Sequence, residues 1–233
     1  MGVDVGPQLV AERTEKARLV RDVFNRIAPV YDRGNAILSL GLEQRWRAAA
    51  VARTELDPGD CALDLCCGTG AFLPLLRKSV GPAGRVVGLD VCLPMLQRVG
   101  ERVSHSQLVL ADACRIPVAS GSFDAVTVGW GLRNVPDLQS CLSEAVRSLR
   151  PGGTLVSLDM AHSQGAPFAA CALTSRFVGA LLGQPSAYSY LVSSAAAFAS
   201  PEELCDEFVR AGLREVGHRR MFFGLIGMVW GTK

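Results

Sequence analysis

The chain has 233 residues, 49% of them hydrophobic and 20% charged, with a formal net charge of +2. That balance excludes a disordered chain, and so small a charge with no dense basic run excludes the electrostatic footprint of a nucleic-acid-binding protein. The length suits one domain with a large core and a smaller elaboration. Residues 1–11 lack the basic-then-apolar pattern of a secretory signal and read as a loose lead. From about Thr14, Ala17, Val20, Val23, Phe24, Ile27 and Ala28 recur at three- and four-residue steps, which predicts a helix with one apolar face. A second helix is expected from about Asn35 to Arg53, and Asp57-Pro58-Gly59-Asp60 is a turn that separates the pair from the first strand. Strands are predicted at 61–65, 85–89, 107–111, 124–130 and 153–159, with helices between them. Two more, near 213–219 and 223–231, complete seven strands. Pro201 and the acids beside it open a helix that Gly212 ends. Between the fifth strand and that helix, residues 168–182 are apolar but interrupted by Thr174, Ser175 and Arg176. They are too short and too polar to span a bilayer. They read as an inserted substrate-cap helix, or alternatively as a face resting on a membrane surface, which would suit a lipid-tailed substrate.

The stretch from Ala62 to Phe72 organises the chain. A short apolar strand carrying Asp64 runs into Gly68-Thr69-Gly70, and an apolar helical pattern follows at once. Glycines in such a turn let a ligand approach the backbone, and the helix N-terminus offers unpaired N–H groups. A dinucleotide fingerprint would place a third glycine where Leu73 stands, so no pyrophosphate cradle is spelled out and a nicotinamide reading is disfavoured. Asp64 suits an ammonium group better than a phosphate. Asp90, with Val91 beside it, ends the second strand and can accept from both ribose hydroxyls. Asp112, with Ala113, ends the third, where a carboxylate can take an adenine amino group. Three carboxylates at successive strand ends with one short glycine turn resemble the S-adenosylmethionine site of class I methyltransferases.

The N-terminal stretch sharpens that resemblance. Phe24, Ile27, Ala28, Tyr31, Asp32, Asn35, Leu38, Ser39, Gly41, Trp46 and Arg47 match the signature of the ubiquinone/menaquinone biosynthesis C-methyltransferases, which the chain resembles over nearly its whole length. Gly131-Leu132-Arg133-Asn134-Val135 is similar to a segment that follows the fourth strand in that family. Pro151-Gly152-Gly153 is a commoner turn. The resemblance implies an α/β, Rossmann-like seven-stranded class I methyltransferase fold. A helical lid (1–56) precedes the core (57–233), and a helical cap is inserted after the fifth strand at about 162–198. It implies S-adenosylmethionine as cofactor, held by Asp64, Gly68, Thr69, Gly70, Asp90, Val91, Asp112, Ala113 and Gly129. The last stands where the family often has serine. The implied acceptor is a ring carbon of a prenylated quinol. The alternatives are another phenolic or polycyclic acceptor, methylated on C, O or N, and a non-catalytic accessory protein.

Arg133 is expected to stabilise a developing phenolate, since a guanidinium is a poor proton acceptor but a good partner for an oxyanion. Tyr31 and His162 are the other candidate catalytic residues. Asn134, Tyr188 and Tyr190 are candidate substrate contacts. Ser193, Ala196 and Val229 stand where family members carry an acid, an arginine and a histidine, which places the identity of the acceptor in question. Eight cysteines without a Cys-x-x-Cys pair read as packing residues of a reducing cytoplasm, not as a zinc site, and no metal is expected. Thiol-based arsenic chemistry is the minor alternative. A small-molecule partner, no nucleic acid, and peripheral contact with a membrane complete the expectation.

Overall fold

A computed structural model describes residues 7–103, 106–161 and 166–233. The chain enters through helix α1 (Pro7–Ile27), then α2 (Tyr31–Leu38) and α3 (Glu43–Ala52). Helix α1 begins at Pro7, well before the expected start near Thr14. Leu9, Val10 and Ala11 stand side by side and supply no three- and four-residue period to read, yet proline is well suited to a first helical turn. The single helix expected over 35–53 is two. Leu40 and Gly41 turn left-handed at φ 53° and 74°, and the Gly41 amide donates back to the Ala36 carbonyl at 2.9 Å. This is a helix-closing turn that periodicity alone runs through.

Seven strands form the sheet. Strands β1 (Cys61–Leu65), β2 (Arg85–Asp90), β3 (Ser106–Leu110), β4 (Phe123–Gly129), β5 (Leu149–Met160), β6 (Arg214–Met221) and β7 (Ile226–Thr232) lie in the order β3-β2-β1-β4-β5-β7-β6. β1 to β5 are parallel neighbours, while β7 is antiparallel to both β5 and β6. The connections run through α4 (Leu73–Val80), α5 (Leu93–Leu96), α6 (Leu138–Ser148), α7 (Ala166–Leu181), α8 (Pro185–Ala197) and α9 (Pro201–Arg210). Pro151-Gly152-Gly153 is absorbed into β5 instead of preceding it. The pairing jumps from Phe123–Leu149 to Ala125–Thr154, and Gly152 takes φ 82° in the bulge. Helix α9 is closed by a reciprocal cap in which Ser200 accepts from the Glu203 amide and Glu203 from the Ser200 amide.

Period-two alternation sends β1 side chains to opposite faces. Leu63 and Leu65 join Leu142, Leu204 and Phe208 under α6 and α9. Ala62 faces Ala50, Leu73 and Leu76 under α3 and α4, and Asp64 shares that second face. A third apolar cluster lies outside the sheet layers. Val23 and Ile27 of α1 meet Val178 of α7 and Tyr188 of α8, so the N-terminal helices and the inserted helices share one core. Tyr188, expected at the substrate, is 2% exposed and anchors this layer. Its ring occupies space left by two glycines. A Cβ on Gly34 would stand 1.7 Å from its hydroxyl oxygen, and one on Gly179 2.6 Å from its Cβ.

Candidate active site

In an open α/β sheet, ligands lie beyond the carboxyl ends of the strands, where the order reverses. Here β1 and β4 part at that point, and two cavities occupy it. The first, with about 800 Å³ of empty space, is walled by the turns after β1 to β4 and by one face of α1. Cys66 and Gly68 floor it, Asp90, Val91, Asp112 and Ala113 stand along one side, and Gly129 to Gly131 and Asn134 form the other. Ala17, Val20 and Phe24 close it from α1. Asp90 ends β2 and is held by two backbone donors at 2.8 Å, Gly68 N–H to one oxygen and Cys92 N–H to the other. Burial raises its pKa, and those two bonds oppose the rise. Asp112 lies two residues past β3 and accepts from the Cys114 amide at 2.8 Å. The expected acids at the second and third strands therefore meet in one cleft.

The glycine turn works as its residue types require. Gly70 takes φ 80°, and a Cβ there would come 2.9 Å from Val99. Gly68 takes φ 56°, and its Cβ position is open, which leaves backbone approach to a ligand free. Gly129 is required by packing, since a Cβ would stand 2.3 Å from the Phe72 ring. Thr69, expected among the cofactor contacts, instead donates through Oγ1 to Asp32 of α2 at 2.6 Å and so ties the turn to the N-terminal helices.

Asp64 departs from the expected strand-end position. It is the fourth of five residues in β1, is 1% exposed, and lines neither cavity. One oxygen accepts from Thr127 Oγ1 at 2.8 Å, and Oδ2 has no hydrogen-bond partner. Burial raises its pKa from 3.8 to about 7, against the opposing effects of Thr127 and Arg47. Between those two values the folded chain holds a proton that the unfolded chain has released. The stability contributed is therefore fully present below about pH 3.8 and is lost as pH rises through about 7. Thermal unfolding of Asp64→Asn beside wild type should show the variant gaining ground as pH rises across that window, by about 10 °C in Tm. Parallel curves would show that Asp64 is charged in the fold throughout.

The second cavity lies beside the first, and both are lined by Tyr31 and Trp130. Its walls are largely apolar and aromatic: Leu38, Trp46, Met160, Phe168, Leu191, Phe222 and Ile226, with Arg47 and Arg133 as cations. Tyr31 opens α2 and packs edge-on against Phe24, with ring centroids 6.0 Å apart. Trp130 leaves β4 at φ 55°, a left-handed conformation costly for a bulky residue and seen most at functional sites. Gly131 beside it has no room for a Cβ, which would fall 2.6 Å from Cys66 Cβ. Arg133 is 8% exposed, ion-paired through Nη1 to Asp159 of β5 and bonded to the Trp130 carbonyl at 3.2 Å. Burial raises the Asp159 pKa, and Arg133 opposes that rise.

Asn134 lines the first cavity and donates to the Trp130 carbonyl at 3.0 Å, while Tyr190 donates to Asn134 Oδ1 at 3.1 Å from behind. Tyr190 therefore supports the wall and lines neither of the two cavities. His162 lies outside the described residues. Ser193 and Ala196 are exposed on α8, and Val229 is buried in the sheet core beside Leu204. None of the three lines the second cavity. All eight cysteines are free thiols, and burial raises the pKa of Cys66 and Cys67. Sequence reasoning alone does not single out Trp130, Arg47 and Asp159 as site residues. Arg47 belongs to the N-terminal signature and Trp130 directly precedes Gly131-Leu132-Arg133-Asn134-Val135, but only their meeting at the cavity distinguishes them from packing residues.

The profile of the ubiE/COQ5 methyltransferase family matches residues 11–233. The chain belongs to this family. It is a methyltransferase that uses S-adenosylmethionine, and its fold is the Rossmann-like one expected. It is 39% identical over 231 residues to the demethylmenaquinone methyltransferase of Desulfitobacterium hafniense, covering 94% of this chain and 91% of the relative. It is also 39% identical over 222 residues to the 2-phytyl-1,4-naphtoquinone methyltransferase of Thermosynechococcus vestitus, covering 92% and 99%. Among solved structures, a SAM-dependent methyltransferase from Aquifex aeolicus is similar with a TM-score of 0.60 and 19% identity, over 80% of this chain and 88% of that one. The cleft fits the cofactor that the family uses. It offers an open glycine turn and two carboxylates at neighbouring strand ends.

Proposed function

We propose that this methyltransferase methylates a ring carbon of a prenylated quinol, a demethylated naphthoquinol first among them. The observation that carries the reading is the second cavity, aromatic and apolar, joined to the cofactor cleft at Tyr31 and Trp130. A flat apolar ring bound there lies within reach of the cleft. The names of the two relatives, one acting on demethylmenaquinone and one on a phytyl-naphthoquinone, support this acceptor class. The altered Ser193, Ala196 and Val229 give no reason to prefer another acceptor, since none lines that cavity.

In this reading Asp90 holds the ribose hydroxyls, Asp112 and Ala113 meet the adenine, and Val91 packs on the nucleoside. The Gly68–Gly70 turn lets the rest approach the backbone. S-adenosylmethionine supplies a methyl group bonded to a positively charged sulfur. The ring carbon's own electron pair would form the new bond to that methyl, the sulfur would keep the pair of the bond it loses, and the displaced ring proton would be given up to solvent after transfer. Holding both reactants across Tyr31 and Trp130 supplies much of the acceleration. The helices of residues 1–56 act as the lid and those of 162–198 as the cap, which together exclude bulk water from the ring. Arg133 with Asp159 keeps the Trp130 carbonyl, and so the dividing wall, in place.

Purified protein given labelled S-adenosylmethionine and a short-tailed demethylmenaquinol, kept reduced, should form a product whose new methyl is carbon-bound by NMR. An oxygen-bound methyl, or cofactor binding without turnover, rejects the acceptor.

The prenyl tail needs a path, and α7 supplies one. Its inner residues Phe168, Cys171, Ala172 and Ser175 line the second cavity. On its outer side Leu173, Phe177 and Leu181, spaced four apart, are 71%, 69% and 67% exposed. No helix among the described residues is long and apolar enough to cross a membrane. The outer ridge instead rests on the membrane surface in this reading. Leu173→Ser with Phe177→Ser and Leu181→Ser should abolish co-sedimentation with anionic lipid vesicles. The same variant should cut turnover of a long-tailed quinol in those vesicles about tenfold, leaving a short-tailed soluble quinol unaffected. Equal losses on both quinols refute the membrane contact.

A further inference from the structure

Two arginines face the second cavity, and their circumstances differ. Arg133 has its charge matched at close range: Nη1 pairs with Asp159 and also bonds the Trp130 carbonyl, although its Nε has no hydrogen-bond partner. Arg47, on α3, is 5% exposed, and its Nε has no hydrogen-bond partner. Its nearest carboxylate oxygen, Glu43 Oε1, stands 4.0 Å away, at the outer limit of an ion pair, while Glu43 Oε2 accepts from Ser39. The guanidinium carbon lies 4.8 Å from the centroid of the Trp130 ring, the residue that both cavities share. What sets Arg47 apart is the lack of a counter-charge at close range, and a buried guanidinium in that state is costly to maintain unless an anion completes it. Burial indeed lowers the Arg47 pKa, with Tyr31, Glu43, Asp64 and Asp32 opposing the effect.

We propose that Arg47 binds the ionised ring oxygen of the acceptor, its guanidinium plane held by stacking on Trp130 at the point where the cavities meet. This deepens the quinol reading and rests on it. An aromatic oxygen that has lost its proton donates electron density to the neighbouring ring carbon, the atom that takes the methyl. A fixed cation at that oxygen favours the ionised form at neutral pH and sets which carbon faces the cleft. Guanidinium suits the task because it stacks, directs its donors in a plane and does not surrender its proton. The other charged or titratable groups facing it are Glu43 from its own helix, Tyr31 and Asp32 from α2, and Asp64 from β1. Arg133, paired with Asp159, shares the cavity wall.

The test uses 4-methoxy-1-naphthol, the monomethyl ether of a naphthoquinol, which resists simple oxidation to the quinone and whose naphtholate absorbs at longer wavelength. It is titrated on the full chain loaded with S-adenosylhomocysteine. Wild type should lower the apparent pKa of the bound naphthol by about one unit or more. Arg47→Gln should abolish that depression and weaken naphtholate binding about 10- to 100-fold, with affinity for S-adenosylhomocysteine unchanged. Arg47→Lys should recover part of it, and circular dichroism checks that both variants fold. An equal depression in wild type and Arg47→Gln overturns the role of Arg47 while leaving the quinol reading standing. Failure of wild type to bind the naphthol overturns the acceptor class, and the inference with it.

Discussion

Asp90→Ala should bind S-adenosylmethionine at least about 100-fold more weakly than wild type in isothermal titration, with turnover falling in step at subsaturating cofactor. The magnitude comes from two lost charge-assisted hydrogen bonds to the ribose at roughly 1.5–3 kcal/mol each, against about 1.4 kcal/mol per factor of ten. A second loss adds to it. The same carboxylate accepts from Gly68 N–H and Cys92 N–H, so it shapes the glycine turn that the cofactor rests on. Asp90→Asn tests both roles together. Its amide has one acceptor oxygen and one donor end, so one of the two backbone N–H groups would face an NH2. A Kd within about fivefold of wild type for Asp90→Ala would remove Asp90 from the cofactor site.

Arg133→Ala should cost about 3–5 kcal/mol of stability and lower Tm by roughly 10 °C, because it strips the partner from a buried carboxylate. Asp159 is 3% exposed and its Oδ2 already has no hydrogen-bond partner. The single variant therefore conflates a structural loss with a catalytic one. The double variant Arg133→Met with Asp159→Leu separates them, since replacing a buried ion pair with apolar side chains of similar volume is often close to neutral. Stability should return in the double variant, while turnover stays low because the Trp130 carbonyl loses its guanidinium donor. Recovered turnover with recovered stability would show that the pair acts only as packing. An Arg133→Ala protein as stable as wild type would show that Asp159 is protonated and needs no partner.

Much of this molecule is legible along the chain because its determinants are local. Alternating apolar strands, Pro201 and Gly212 around α9, and Gly68-Thr69-Gly70 between β1 and α4 each act over a few residues, so the seven strands and the cofactor cleft emerge from reading in order. Asp90 and Asp112 are legible for the same reason: each sits at or just past the end of its own strand. Asp64 lies one residue of register away from the expected strand end, and in a strand one residue decides the face.

What only the tertiary structure decided depends on residues far apart in sequence. Tyr188 reads as a substrate contact along the chain, whereas α1, α2 and α7 pack around it in the fold. Thr69 reaches across 37 positions to Asp32 and Arg133 across 26 to Asp159, and Arg47 stacks on Trp130 from another element. The sequence by itself determined the strands and the glycine turn, because hydrophobic periodicity and backbone freedom are properties of neighbouring residues, and its resemblance to class I methyltransferases pointed to the cofactor. Which arginine is neutralised at close range and which is not is a property of the assembled cavity. Burial and pairing, which set the energy of a charge, exist only once the lid, the sheet and the cap are packed together.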